Sequence, residues 1–373
     1  MIKLAKSVVG KNEADAVRDV ILGSGYLGMG AEVKFFEKEL ENYINTGKES
    51  EYLAVCVSSG TAALHLAIEA LTSPGDEVLV PTITYVATYS AITAAGCIPI
   101  SCDILADSAL IDLSDAKTKI SSKTKMILPV HYGGNCGDID DVYAFAKKNN
   151  LRIIEDAAHA FGTSYKGKKI GSFGDVICFS FDGIKNITSG EGGAILTSDR
   201  RVIERVRDTR LLGVVGDADK REKGFRSWDF EIKSQGYRYH MSNIFAAIGR
   251  VQLQRFETDL APKRKKLASL YSAELASLSW LTPVNNEFTE IVPHIYPVLV
   301  QSDKRPLLEK IFKENNIEYG LHYKPNHLLK VYSSNMIKCP TAERLYNELI
   351  TLPLHPGILE SDLMEIVKVI KKV

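Results

Sequence analysis

Three short stretches of this 373-residue chain set chemically competent side chains directly after apolar runs. In "AVCVSSGTAAL" the run ends at Val57, and Ser58-Ser59-Gly60-Thr61 opens a helical pattern. In "LRIIEDAAHA" Glu155 and Asp156 close a run, with His159 three residues further on. In "DVICFSFDGIKNITSGEGG" Ser180 and Lys185 flank the exit of a third run, ahead of a glycine-rich turn.

Each stretch suits a different ligand group. A helix N-terminus has unpaired N–H groups and a partial positive charge, so it binds phosphate. Gly60 lets an anion approach the backbone, and the hydroxyls of Ser59 and Thr61 add donors. A carboxylate at the end of a buried run needs a partner, because a lone desolvated charge is costly; Asp156 is therefore a candidate to pair with a ligand cation. A partly desolvated lysine sheds its proton readily and attacks carbonyl carbon, which is the chemistry open to Lys185. Each also has an ordinary structural role open to it: helix capping for Ser59, Thr61 and Asp156, a core or surface place for His159, a solvated surface for Lys185. Taken together they supply a phosphate cradle, a carboxylate for a heterocyclic cation and an amine for an aldehyde, the three handles of pyridoxal 5'-phosphate (PLP).

Loops of this kind work only if a rigid scaffold brings them together. From about residue 51, short continuous apolar runs ("YLAVCV", "DEVLVP", "KMILPVHY", "LRIIEDAA", "DVICFSF") alternate with helical segments. That pattern predicts an α/β fold, its mainly parallel sheet covered by helices on both faces and its ligands beyond the carboxyl ends of the strands. Helical periodicity also marks 12–22 and 31–45. The alternation stops near 197. A polar stretch, "GDADKREKGFRSWDFEIKSQ", reads as a long exposed loop, and "MSNIFAAIGRVQLQRFETDLAPKRKKLASLYSAELASL" as one or two long helices. Strand-like "EIVPHIYPVLV", a helix at "RPLLEKIFKENN" and a last helix from about 360 complete a smaller unit.

Composition narrows the function classes. The chain is 45% hydrophobic and 25% charged, which is the make-up of a soluble globular protein. Lys plus Arg and Asp plus Glu are both 46, leaving no basic excess for a nucleic-acid partner. No stretch approaches the ~18 apolar residues of a membrane span. The six scattered cysteines form no CxxC pair, and the N-terminus has no signal-peptide pattern, so a reduced, cytoplasmic protein is expected.

Six ordered motifs carry a resemblance over nearly the whole chain: "SSGTAAL", "GDEVLVPTITYVAT", "PVHYGG", "IEDAAHA", "FSFDGIKNITSGEGGAI" and "MSNIFAAIGRVQL". They resemble the fold-type I PLP enzymes, and more narrowly the DegT/DnrJ/StrS family of sugar-nucleotide aminotransferases. The resemblance implies a large domain with a mainly parallel seven-stranded sheet sandwiched by helices, over 1–250, and a smaller C-terminal α/β domain, 251–373. The N-terminal segment is a candidate to pack with the latter. It implies that Lys185 forms the Schiff base with PLP and shuttles the substrate proton, that Asp156 partners the pyridine nitrogen, and that Tyr85 stacks on the ring. Gly60, Thr61 and Ser180 then match the phosphate site, and His159 a position near the ring hydroxyl. Glu191 lies in a turn under the cofactor, and Tyr26, His322, Tyr323, Lys324 and His327 lie in segments near the substrate.

One departure stands out. The family commonly reads Asn-Tyr-Arg-Met where this chain has Arg238-Tyr239-His240-Met241, and in relatives the Asn reaches the partner subunit's cofactor phosphate; Arg238 is expected to take that role in a homodimer with shared active sites. Lysine at 185, where related dehydratases have His, favours transamination. The implied substrates are a nucleotide-linked 4-keto-6-deoxy sugar and L-glutamate, for surface polysaccharide or glycoconjugate synthesis. A 3-keto sugar, an unactivated keto sugar, a cyclitol, and a non-catalytic binding role are the alternatives. Two decoys fall away: "GSGYLG" matches a dinucleotide fingerprint but follows a helical segment rather than a strand, and His322 and His327 lack the neighbouring ligands of a metal site.

Overall fold

The computed structural model describes residues 1–45, 52–217, 220, 225, 228–232, 234–333 and 337–373. Its main sheet uses β1 (Leu53–Val57), β2 (Glu77–Pro81), β3 (Ile98–Cys102), β4 (Thr124–Ile127) and β5 (Arg152–Asp156). After a small hairpin, β6 (Ser164–Tyr165) with β7 (Lys168–Lys169), come β8 (Val176–Ser180) and β9 (Gly193–Thr197). The seven strands lie in the order β1-β9-β8-β5-β4-β2-β3. Strands β3, β2, β4, β5 and β8 pair in parallel, whereas β9 is antiparallel to both β8 and β1. Parallel neighbours need a crossover; antiparallel ones do not. The β8–β9 connection has no helix and folds straight back, and it carries Lys185.

Alternation along the buried strands builds two cores at once. In β8, Val176 and Cys178 join the cluster under α3 (Gly60–Leu71), while Ile177 and Phe179 join the one under α2 (Ala31–Ile44). Helix α3 is buried around most of its circumference, consistent with its even run of Ala, Leu and Ile.

The predicted long helical region is two helices, Asn243–Gln254 and Ala261–Leu275, joined by a π-turn over Phe256–Leu260. Pro262 sits in the first turn of the second helix, where its missing N–H does no harm. A second, antiparallel sheet follows, β10 (Leu281–Pro283), β11 (Tyr296–Val300) and β12 (Leu349–Leu352), with its own core around Tyr271, Tyr296, Phe312 and Leu363. Residues 290–295, read from the sequence as the start of that strand, instead run as irregular chain against the loops at Gly133, Thr163 and Asn186, with Val292 and His294 buried. The N-terminus joins this second unit: Ile2 bridges Ile317, and Leu354 donates its N–H to Leu4. The polar stretch over 216–235 lies partly outside the described residues. Among the described residues, no helix is long and apolar enough to cross a membrane.

Candidate active site

Strand register lines up the polar loops. Val57 is opposite Gly193, Gly193 opposite Ser180, and Cys178 opposite Asp156, so the carboxyl ends of β1, β8 and β5 share one edge. A cavity of about 420 Å³ opens there, lined by residues of the Ser59–Thr61, Asp156–His159 and Ser180–Lys185 stretches.

One end is the N-terminus of α3. Ser59 is the N-cap, its Oγ accepting from Ala62 N at 3.0 Å, so the capping role holds alongside any ligand role. Gly60, Thr61 and Ser180 line the cavity beside it. A Cβ on Gly60 would lie 2.7 Å from Ser180 Cβ, and one on Gly193 would lie 2.5 Å from the Ser59 carbonyl oxygen. The cradle is thus as close as glycine allows. Gly60→Ala should push Ser180 out of place at a strain of about 1–3 kcal/mol. Equilibrium dialysis should then find cofactor binding weakened by roughly tenfold or more; unchanged affinity would detach Gly60 from the site.

Asp156 ends β5 and is 6% exposed. Its Oδ2 accepts from Thr88 Oγ1 at 2.8 Å and its Oδ1 from Ala158 N at 3.2 Å. No helix starts there, so it is not a helix cap. Burial raises its pKa, against the pull of Thr88, Ala158 and the Lys185 charge. Such a carboxylate is poised for a cation that shares its proton.

Lys185 also lines the cavity and is half-buried. Burial brings its pKa down to about 8, while Asp156 and Asp182 hold it up and Arg264 pushes it further down. Around it the histidines are neutral: burial, then the Lys185 charge, keeps His159 and His294 well below the usual imidazole range and His322 at about 4.

His159 has a defined tautomer. Gly133 donates its N–H to His159 Nδ1 at 3.3 Å, so the ring hydrogen is on Nε2, which donates to the Tyr323 oxygen at 3.1 Å. Tyr323 thereby keeps its own O–H for a ligand. Tyr85 is no core tyrosine: it is 58% exposed at the start of α4 (Val86–Ala94), with its ring 5.6 Å from that of Tyr323. Both rings line the cavity, as do His322 and Glu191. Burial and Asp182 raise the Glu191 pKa.

Four expected residues do not line this cavity in one chain. His327 is buried, with Nδ1 2.7 Å from Thr82 Oγ1 and Nε2 3.1 Å from Glu343; it anchors the segment leading to Tyr85 instead of facing a ligand. Lys324 is exposed. Tyr26 lies in the loop before α2, where its carbonyl accepts from Asn243 Nδ2 at 2.8 Å. Arg238 is exposed on a segment that bridges Leu211, beside the Tyr239 carbonyl bound to Ser58 N.

The structure adds residues that the motifs did not single out. Thr88, three places after Tyr85, was legible from helical spacing. Asp182 lines the cavity three residues before Lys185. Arg264 gave no signal, because "PKRKK" reads as a solvated helix face.

Comparisons with known proteins place the chain in a family. A family model, the DegT/DnrJ/EryC1/StrS aminotransferase family, matches residues 8–371. The chain belongs to that family. It is 35% identical to the Methanocaldococcus jannaschii protein MJ1066, over 98% of this chain and 95% of that one. It is 32% identical, over the same shares, to the Bacillus subtilis spore coat polysaccharide biosynthesis protein SpsC. Streptococcus pneumoniae Spr1654 in its PMP-form superposes with a TM-score of 0.91 at 30% identity, covering 100% of this chain and 98% of that one. The same protein is also solved in a PLP-form. Aminotransferases of the DegT/DnrJ/EryC1/StrS family use PLP, and the residues present here fit it. The glycine-limited cradle suits a phosphate, the buried Asp156 a pyridinium, and the Lys185 amine an aldehyde.

Proposed function

We propose that this family member transfers the amino group of L-glutamate to a nucleotide-linked 4-keto-6-deoxy sugar, for surface polysaccharide or glycoconjugate synthesis. The observation that carries the reading is the Lys185 amine, unusually easy to deprotonate, sharing one cavity with Asp156 and an α3 N-terminus. The name of SpsC, a polysaccharide biosynthesis protein, supports the pathway class. PLP, when bound, supplies an aldehyde that carries the amino group and a ring that accepts electrons.

The chain's own residues do the rest. Gly60, Thr61 and Ser180 hold the phosphate, and Asp156, fixed by Thr88, keeps the pyridine nitrogen protonated. Tyr85 covers a ring face, and the Tyr323 hydroxyl, freed by His159, donates to the cofactor or the sugar. Lys185 anchors the cofactor, takes the proton from the donor's α-carbon, and returns one to the sugar carbon in the second half-reaction. Glu191 and His322 face the space left for the substrate, and Lys324 and Tyr26 are assigned to its approaches.

Arg238, exposed in a single chain, is assigned to the phosphate of a partner subunit in a two-fold dimer, where its fork suits that anion. The chain divides in this reading into 1–250 and 251–373, with the helix Asn243–Gln254 running across the division. Six free, buried cysteines support a cytoplasmic location.

Incubation with L-glutamate and a panel of 4-keto and 3-keto sugar nucleotides, free keto sugars and cyclitol ketones, read by mass spectrometry, tests the assignment. Amine product from the 4-keto nucleotides, at least about tenfold faster than from the rest, is expected. Turnover confined to unactivated ketones or 3-keto sugars contradicts it.

A further inference from the structure

The loop that carries Lys185 is held from outside. Ser7 Oγ donates to the Gly183 carbonyl. Arg264 Nη2 donates to the carbonyls of Ile184 and Lys185, each at 3.4 Å. Three consecutive carbonyls are thus gripped by side chains that come from the N-terminal segment and from the helix Ala261–Leu275.

Arg264 does more than tether. It is 1% exposed, and its Nη1 donates to the carbonyls of His294 (3.0 Å), Leu354 (3.4 Å) and Pro293 (3.5 Å). Its Nε has no partner, and among the described residues no carboxylate pairs with it. An unpaired buried cation is expensive, so a structural account would favour an apolar side chain at this position. What the guanidinium achieves there is to join the Lys185 loop, the 293–294 segment and the strand exit after β12 through one rigid fork.

We propose that Arg264 is a positioning residue for the reaction: it fixes the backbone from which Lys185 projects, and its positive charge acts on the Lys185 amine. Burial lowers the Arg264 pKa only to about 10, so the charge persists at neutral pH. It adds to the burial that brings Lys185 down to about 8, against the opposing charges of Asp156 and Asp182. The other groups near the amine are neutral histidines (His159, His294, His322), the Tyr323 and Tyr85 phenols, and Glu191 across the cavity. Arg264 is therefore the one fixed cation that opposes protonation of Lys185 among the described groups coupled to it. The proposal rests on the reading of Lys185 as the cofactor's attachment point.

The test follows the rate at which added PLP couples to the full-length, cofactor-free protein, by visible absorption, as a function of pH. Wild type should give a profile rising to a midpoint near 8, where the amine loses its proton. Arg264→Gln should move that midpoint up by a fraction of a pH unit, about half, and so slow coupling roughly threefold at neutral pH. Arg264→Lys, which keeps the charge but not the fork, should hold the midpoint and lower the plateau rate. A folded Arg264→Gln protein with the wild-type midpoint overturns the proposal. Should Arg264→Gln fail to fold, Arg264→Lys decides: a lowered plateau supports the positioning role, and a wild-type profile overturns it. Coupling that survives in Lys185→Ala removes the underlying reading of Lys185. Coupling lost in Lys185→Ala with an unmoved Arg264→Gln midpoint removes the role of Arg264 alone.

Discussion

Lys185→Ala is expected to abolish transamination, with the rate falling by at least ~10⁴-fold, because one amine both anchors the cofactor and moves the substrate proton. The fold should survive. Among the described residues Lys185 forms no side-chain ion pair, and its burial penalises the charged form, so removing it should cost the fold little. A thermal melt of the cofactor-free variant should match wild type to within a few degrees, while single-turnover assays with glutamate show no ketoacid. Lys185→Arg should be equally inactive despite keeping the charge, because a guanidinium does not deprotonate near neutral pH. Residual activity in either variant within a hundredfold of wild type would place the chemistry on another group.

The second large effect is expected at Asp156. Asn in its place can accept from Ala158 N through its oxygen and donate its amide N–H to Thr88 Oγ1, but it cannot hold a proton on a ring nitrogen. Transamination should fall by roughly 10²–10⁴-fold, the scale of losing a positioned proton partner, with cofactor still bound through the cradle. Stability should move the other way. Burial raises the folded-state pKa of Asp156, so the native chain binds that proton more tightly than the unfolded chain does. Its contribution favours the fold at acid pH and is lost as pH rises through the raised value. At neutral pH the charged carboxylate therefore burdens the cofactor-free fold, and Asp156→Asn without cofactor should melt no lower than wild type. Near-normal turnover in the Asn variant, or a large loss of its stability, would contradict this role.

Much of this site could be read before the structure because it is written in contiguous motifs. Each of the three chemical stretches is a strand end followed by its loop, and the sheet register does the rest: Val57, Gly193 and Ser180 sit side by side because their strands do. The reversed strand β9 was harder to foresee, since a five-residue apolar run reads alike in either direction; its direction follows from a helix-free connection. Residues that reach the site from far away left little trace. Arg264 is about 80 positions from Lys185 and sits in a run of basic residues that looks solvated, yet it is buried. His327 erred in the opposite sense: its position beside Tyr323 suggested a ligand role, but Thr82 and Glu343 occupy both ring nitrogens.

The most direct measurement is to saturate the purified full-length enzyme with PLP, reduce it with borohydride, digest it and map the modified peptide by mass spectrometry. The account predicts one stoichiometric phosphopyridoxyl group, on the Lys185 side chain within "FSFDGIKNITSGEGG". A modification on a different lysine, or none at all in cofactor-saturated protein, would contradict it.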